Sequence, residues 1–219
     1  MSLFRDRSES GRQLAERLDA YGHREDAVVL GLARGGVPVA AEVARTLALP
    51  LDVFLVRKLG VPGQEELAMG AIASGGARVM NKQVVDALAL DRAVIEATVA
   101  REREELERRE REYRDGRPAT DVSGRLGILV DDGLATGASM RAAIQALKQR
   151  RAAGIVVAVP IAPPQTCSEL EHEADAVVCV RTPEPFHAVG LWYQDFPQVS
   201  DEEVRQLLAQ AQAGTGTRA

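Results

Sequence analysis

Two adjacent acids, Asp131 and Asp132, follow the apolar run LGILV and precede Gly133-Leu134-Ala135-Thr136-Gly137-Ala138-Ser139. Residues of these types in this order suit a phosphate bound beside a polyol. The small residues and hydroxyls come where a strand gives way to a helix. A helix N-terminus presents unpaired backbone N–H groups and a partial positive charge, which favour a phosphate. Gly133 and Gly137 let the backbone approach a ligand and are free to take positive φ. Thr136 and Ser139 add hydroxyl donors. The acids stand at the carboxyl end of a parallel strand, where open α/β sheets bind ligands. They face away from the phosphate and accept hydrogen bonds from sugar hydroxyls. No Gly-Lys-Ser/Thr follows, so this is not a Walker loop, and it lacks the dinucleotide GxGxxG spacing.

The elements that must position this loop read as alternating helices and strands. Leu14, Leu18 and Tyr21 mark one face of a helix. The run AVVL at 27–30 enters the Gly-rich turn Gly31-Leu32-Ala33-Arg34-Gly35-Gly36, a buried strand ending in a tight connection. A helix over 37–47, with Pro38 in its first turn, leads to a second strand at 51–56. Strand, helix, strand implies a right-handed parallel crossover. Residues 59–76, punctuated by six glycines and prolines, read as a long loop or loose hairpin. Residues 91–114 form a Glu/Arg-rich helix with Ile95, Val99, Leu106 and Tyr113 on a narrow docking stripe. Strands at 126–130, 155–162 and 176–180 follow, with helices at 138–151 and 169–173. Pro160 suggests that its strand runs near an edge or ends there. Ser200 and Glu203 form a capping box before Val204, Leu207, Leu208 and Ala211. The expected fold class is α/β: an open, mostly parallel sheet with flanking helices.

The 219 residues suit one domain over 1–219 carrying an insertion at about 82–115. A hydrophobic fraction of 46% is ample for a core, with only the tail at 214–219 reading as disordered. The net charge of −5 excludes a general polyanion binder and weighs against non-specific nucleic-acid binding. Cys167 and Cys179 lack CxxC spacing, so both read as small buried apolar residues rather than as a disulfide or zinc pair. No secretory leader and no run of about 18 apolar residues stands out, so the expected compartment is the cytoplasm and no membrane partner is expected.

The stretch VDDGLATGAS resembles the phosphoribosyl pyrophosphate loop of the type I phosphoribosyltransferases. Three further segments resemble that family in the same chain order. Ala33-Arg34-Gly35-Gly36 looks like its pyrophosphate loop, and Arg57-Lys58 followed by Leu59-Gly60 resembles adenine-type members. FHAVGLWYQDF at 186–196 resembles the C-terminal hood, here about 182–200. The resemblance implies displacement at the anomeric carbon of phosphoribosyl pyrophosphate by a nitrogen base, with Mg²⁺ assisting. It places the 5-phosphate on Thr136, Gly137, Ala138 and Ser139, with Ala135 in the same phosphoribosyl pyrophosphate-binding loop, and the ribose hydroxyls on Asp131 and Asp132, which it also makes the candidate catalytic acids. The pyrophosphate falls to Ala33, Arg34, Gly35 and Gly36, with Arg57 or Lys58 adding charge. Mg²⁺ would arrive with the pyrophosphate rather than in a protein cage, so no protein metal ligand is expected.

Residues 59–76 stand where the family has a mobile loop that excludes water. Glu65 and Glu66 are its acids, and Glu66 is the candidate to act on the proton of the base. Two solvated loop acids are the alternative. Trp192 and Tyr193 are candidates to stack on the base, against an ordinary core role for Trp192. Where hypoxanthine-type members carry a general base, this chain has Ala135. That departure keeps a second reading open, a regulatory protein that senses phosphoribosyl pyrophosphate without turning it over. A third is a generic α/β protein binding another phosphorylated sugar. Family members are commonly dimers, so a homodimer is expected.

Overall fold

The computed structural model describes residues 3–215, excepting the side chains at 66, 214 and 215. Its centre is a five-stranded parallel sheet in the order β2-β1-β6-β7-β8. The strands are β1 Ala27–Leu32, β2 Leu51–Phe54, β6 Leu126–Val130, β7 Gly154–Ile161 and β8 Ala176–Arg181. In register, Val29 pairs with Leu51 and Ile128, and Ile128 pairs with Val156. All six residues of β1 are buried, which is why it reads as an unbroken apolar run.

Strand alternation sends those side chains into two cores. Ala27 and Val29 join Leu14 of α1 (Arg7–Arg17) and Val39 and Val43 of α2 (Gly36–Leu47). Val28 and Leu30 join Met140, Ile144 and Leu147 of α5 (Ala138–Gln149) on the other face. A third, smaller cluster forms the hood, with Phe4, Ile161 and Tyr193 buried against Val189, Trp192 and Phe196. Helix α7 (Asp201–Thr215) starts as its capping box requires, the Glu203 N–H donating to Ser200 Oγ at 3.1 Å.

Residues 59–76 lie in a hairpin, not a free loop. β3 Val56–Val61 and β4 Gln64–Ala73 pair antiparallel, and β5 Arg78–Met80 adds a third strand. The ladder is irregular around Gly60, where a Cβ would lie 2.6 Å from the Glu65 carbonyl oxygen. A short α3 (Lys82–Ala87) then leads to the 22-residue α4 (Arg92–Tyr113). As its stripe predicts, α4 buries Val99, Leu106 and Tyr113, together with Thr98. Its open face is laced by Arg108 to Glu105 and Glu112, at 2.8 and 2.9 Å. No helix among the described residues is long and apolar enough to cross a membrane.

Four expectations change. Pro160 does not mark an edge, since β7 lies between β6 and β8; it stands near the end of the strand, between Val159 and Ile161, which both pair with β8. The helix expected at 169–173 is α6, Pro164–Leu170, because Pro164 at a helix start ends the strand before it and fixes the first turn. Cys167 and Cys179 form a disulfide rather than standing apart. Helix α6 is the crossover between β7 and β8 and folds back on β8, bringing together residues 12 apart in a spacing that carries no signature of its own. Of the tail at 214–219, residues 214 and 215 belong to α7 and the rest lie outside the described residues.

Candidate functional site

Strand order reverses between β1 and β6: β2 lies on one side of that pair, β7 and β8 on the other. The connections leaving β1 and β6 therefore diverge and leave a crevice at the carboxyl edge of the sheet, the usual ligand position in open α/β folds. A cleft of ≈ 500 Å³ opens there. The β1 connection contributes Arg34 and Gly35, the β6 connection Asp131 and Asp132, the hood Val189, Phe196 and Pro197, and α1 contributes Arg7.

The two connections touch. A Cβ on Gly36 would lie 2.5 Å from the Val130 carbonyl oxygen, and one on Gly35 would lie 2.1 Å from Asp132 Oδ2. Any larger residue at either position would push the acids away from the Arg34 turn, so both glycines serve close approach.

The loop before α5 is oriented by its carbonyls. Thr166 Oγ1 donates to the Ala135 carbonyl at 2.8 Å, and Arg141 Nη1 donates to the Thr136 carbonyl at 2.8 Å. Arg141 is itself fixed by Glu173 and Glu169, at 2.7 and 2.6 Å. Because a trans peptide is planar, tying back those carbonyls turns the N–H groups of Thr136 and Gly137 the opposite way. Gly137 takes φ +72°, the left-handed conformation that starts α5. Thr136, Ala138 and Ser139 lie at that helix start, with Thr136 and Ala138 beside the Gly137 turn. The result is a pair of outward amides, Thr136 and Gly137, at a helix N-terminus, with Thr136 Oγ1 accepting the Ala138 N–H at 3.5 Å beside them, an anion-binding cradle.

The acids beside the cradle are poorly solvated. Asp131 Oδ1 accepts the Asp132 N–H at 2.9 Å, and Asp132 Oδ2 accepts from Arg7 Nε at 2.8 Å. Burial, then the neighbouring Asp132 charge, pushes the Asp131 carboxyl well above its ordinary value of 3.8. Burial also raises Asp132, against the opposing pull of Arg7. A carboxyl raised on folding holds its proton in the native state while the unfolded chain has already lost it. Stability then declines as pH climbs from about 4 through the native pKa. Asp131→Asn removes that penalty. Its melting temperature should match the wild type at pH below about 4 and exceed it increasingly toward neutral pH, as scanning calorimetry would show. A constant offset at every pH would contradict the assignment.

Residues 7–193 match the family model described as "Phosphoribosyl transferase domain". The chain belongs to this family. Two Mycobacterium tuberculosis proteins, MT0597 and Rv0571c, both named "Putative phosphoribosyl transferase", are each 49% identical over 211 residues. The match covers 96% of this chain and 47% of each relative, so the chain spans about half the length of the curated relatives it matches. The crystal structure of TT1426 from Thermus thermophilus superposes with a TM-score of 0.83 at 45% identity, covering 96% of this chain and 99% of that one. The family match thus spans the hairpin, the long helix and the first part of the hood, and the fold shared with TT1426 covers nearly the whole chain.

Of the other expected site residues, Arg34 lines the cleft, whereas Arg57, Lys58, Trp192 and Tyr193 are not among its lining residues. Arg34 also reaches Asp201 at the start of α7, Nη1 to Oδ1 3.6 Å. The Tyr113 hydroxyl, at the end of α4, donates to that same Asp201, and burial first and then Asp201 push the phenol up to about 12. Arg57 is turned onto α4, with Nη2 2.6 Å from Glu102 Oε2. Lys58, the next residue of β3, is exposed, and the side chain of Glu66 lies outside the described ones. Trp192 is half-buried in the hood cluster. Tyr193 is 5% exposed, packed between Phe4 and Phe196 with its hydroxyl on the Asp132 carbonyl at 2.6 Å. That placement supports the acid loop from beneath and leaves no open ring face. Arg7, Arg141 and Thr166 escaped the sequence reading, because an arginine in a charged helix start and a threonine in a polar helix carry no local signal.

Proposed function

We propose that the chain transfers the phosphoribosyl group of phosphoribosyl pyrophosphate to a nitrogen base and releases pyrophosphate. The observation that carries this reading is the meeting of two connections at the switch point: an acid pair flanked by an anion cradle on one side and an Arg-Gly-Gly turn on the other. Such a site matches a ligand with a sugar diol in the middle and phosphates at both ends.

Ala135 to Ser139 hold the 5-phosphate through amides and hydroxyls, and Asp131 and Asp132 accept from the ribose hydroxyls. Ala33 to Gly36 receive the pyrophosphate, with the Arg34 fork in range of its charge. The base nitrogen bonds to the anomeric carbon, the bond from that carbon to the pyrophosphate oxygen breaks, and the electron pair leaves with pyrophosphate. The base loses its N–H proton to solvent or to an acid of the hairpin. The cleft offers two carboxylates and an arginine turn, which would suit Mg²⁺ carried on the pyrophosphate, where the ion would neutralise charge on the leaving group. On this reading the hairpin at 59–76 takes the part of the loop that closes over the reacting atoms.

Incubation with phosphoribosyl pyrophosphate, Mg²⁺ and a panel of purine, pyrimidine and pyridine bases, read as pyrophosphate release, tests the proposal. Base-dependent release supports it. Ligand binding without release on any base supports the sensing role instead.

A further inference from the structure

We propose that Arg7 is a positioning residue of the phosphoribosyl site, holding the Asp132 carboxylate in the cleft through an ion pair delivered by the N-terminal segment. This rests on the phosphoribosyl reading above.

The placement of Arg7 is built from both sides. The Phe4 N–H donates to the Trp192 carbonyl at 2.9 Å, while Gln194 N–H donates to the Phe4 carbonyl at 2.8 Å and Asp195 N–H to the Arg5 carbonyl at 2.9 Å. These bonds zip the chain start onto the hood. Asp6 then caps α1, accepting the Glu9 N–H at 2.7 Å. Arg7 is thereby the first helical residue and projects across the end of the hood.

Its guanidinium is held on three sides. Nε donates to Asp132 Oδ2 at 2.8 Å, Nη1 donates to the Pro197 carbonyl at 2.7 Å, and Cζ lies 3.8 Å from the centroid of the Phe196 ring. Phe196 is backed in turn by Tyr193, ring centroids 4.7 Å apart. The two side chains of the ion pair are only 11% and 14% exposed, so solvent screens it far less than a surface pair. Tyr193 meanwhile grips the Asp132 carbonyl. Asp132 is thus fixed at its backbone by the hood and at its carboxylate by α1. A purely structural arginine would need only the Pro197 and Phe196 contacts; the third, on an acid that lines the cleft, is the one that bears on ligand.

Among the described residues, the charged and titratable groups beside Asp132 are Arg7 from α1, Asp131 from its own loop and the Tyr193 hydroxyl from the hood, while Arg34 from the turn after β1 lines the same cleft. Arg7→Gln removes one cation and leaves the others. The experiment is calorimetric titration of the full chain with Mg²⁺ and phosphoribosyl pyrophosphate over a pH series, for wild type, Arg7→Gln and Arg7→Lys.

Wild-type affinity should weaken toward acid pH as the acids protonate. In Arg7→Gln that weakening should begin about one pH unit or more higher, because the opposite charge is gone. Arg7→Lys should return it to the wild-type position. Wild-type affinity with an unmoved acid limb in Arg7→Gln overturns the inference and leaves the site intact. Absence of binding by the wild type overturns the phosphoribosyl reading and this inference with it. Should Arg7→Gln fail to fold, Arg7→Lys decides. Its charge is kept and its fork is lost, so it should bind several-fold more weakly with the acid limb in place; undiminished affinity overturns the proposal.

Discussion

Asp132→Asn should lower phosphoribosyl transfer on the order of 10²-fold or more, with most of the loss in kcat. Asparagine keeps the size of the side chain and one acceptor oxygen, so the substitution removes mainly charge. That charge matters most as the bond to pyrophosphate breaks and positive character grows on the ribose ring. A fixed carboxylate in a poorly solvated cleft stabilises this developing charge more than the neutral ground state. Asp132 is fixed, with Arg7 on its carboxylate and Tyr193 on its carbonyl. Its carboxyl is raised by burial, so forming the anion is already costly in the empty site and is offset when the ligand arrives. Steady-state kinetics on whichever base supports turnover would check this. An unchanged rate would sink the role. Asp131 stands beside it, so the double substitution should lose more than either single one.

Asp52→Ala should destabilise the fold by about 3–5 kcal/mol, seen as a fall in the urea midpoint without a change in slope. Asp52 and Arg114 are 6% and 5% exposed and are joined at 2.8 Å. The second Asp52 oxygen accepts the Thr120 N–H at 2.8 Å, and Arg114 Nη2 donates to the Val53 carbonyl at 2.9 Å. This knot ties the end of α4, and the segment after it, to edge strand β2. Truncating the acid leaves a buried arginine with the Val53 carbonyl and, as its remaining carboxylate among the described residues, Glu110 3.4 Å from Nη1. A stability loss below about 1 kcal/mol would mean that Glu110 or solvent compensates. The loss also bears on the site, since α4 ends at Tyr113, whose hydroxyl holds the Asp201 that faces Arg34.

The central sheet was legible because β1, β2, β6 and β7 are buried on both faces and so stand out as apolar runs. Asp131 to Ser139 was legible for the same reason: strand, acids, small residues and helix start are consecutive in the chain. What pins that loop was not. Thr166 and Arg141 act through α6 and α5 from 31 and 5 residues beyond the carbonyls they bind, and nothing local distinguishes them from surface residues. Arg7 lies 125 residues from Asp132 in sequence. Only the pairing of the N-terminal segment with the hood brings them together, and that pairing is made by backbone groups that any sequence possesses. Tyr193 shows the opposite failure. An aromatic in a hood suggests a stacking platform, yet its ring is covered by Phe4 and Phe196. The hairpin at 59–76 read as loose because its glycines sit where strands cross closely, as at Gly60 and Gly70.

Calorimetric titration of the wild-type chain with phosphoribosyl pyrophosphate, with and without Mg²⁺, tests the site most directly. Saturable binding that requires Mg²⁺ is the predicted result. No binding in either condition would contradict the assignment of Asp131 to Ser139 as a phosphoribosyl pyrophosphate loop.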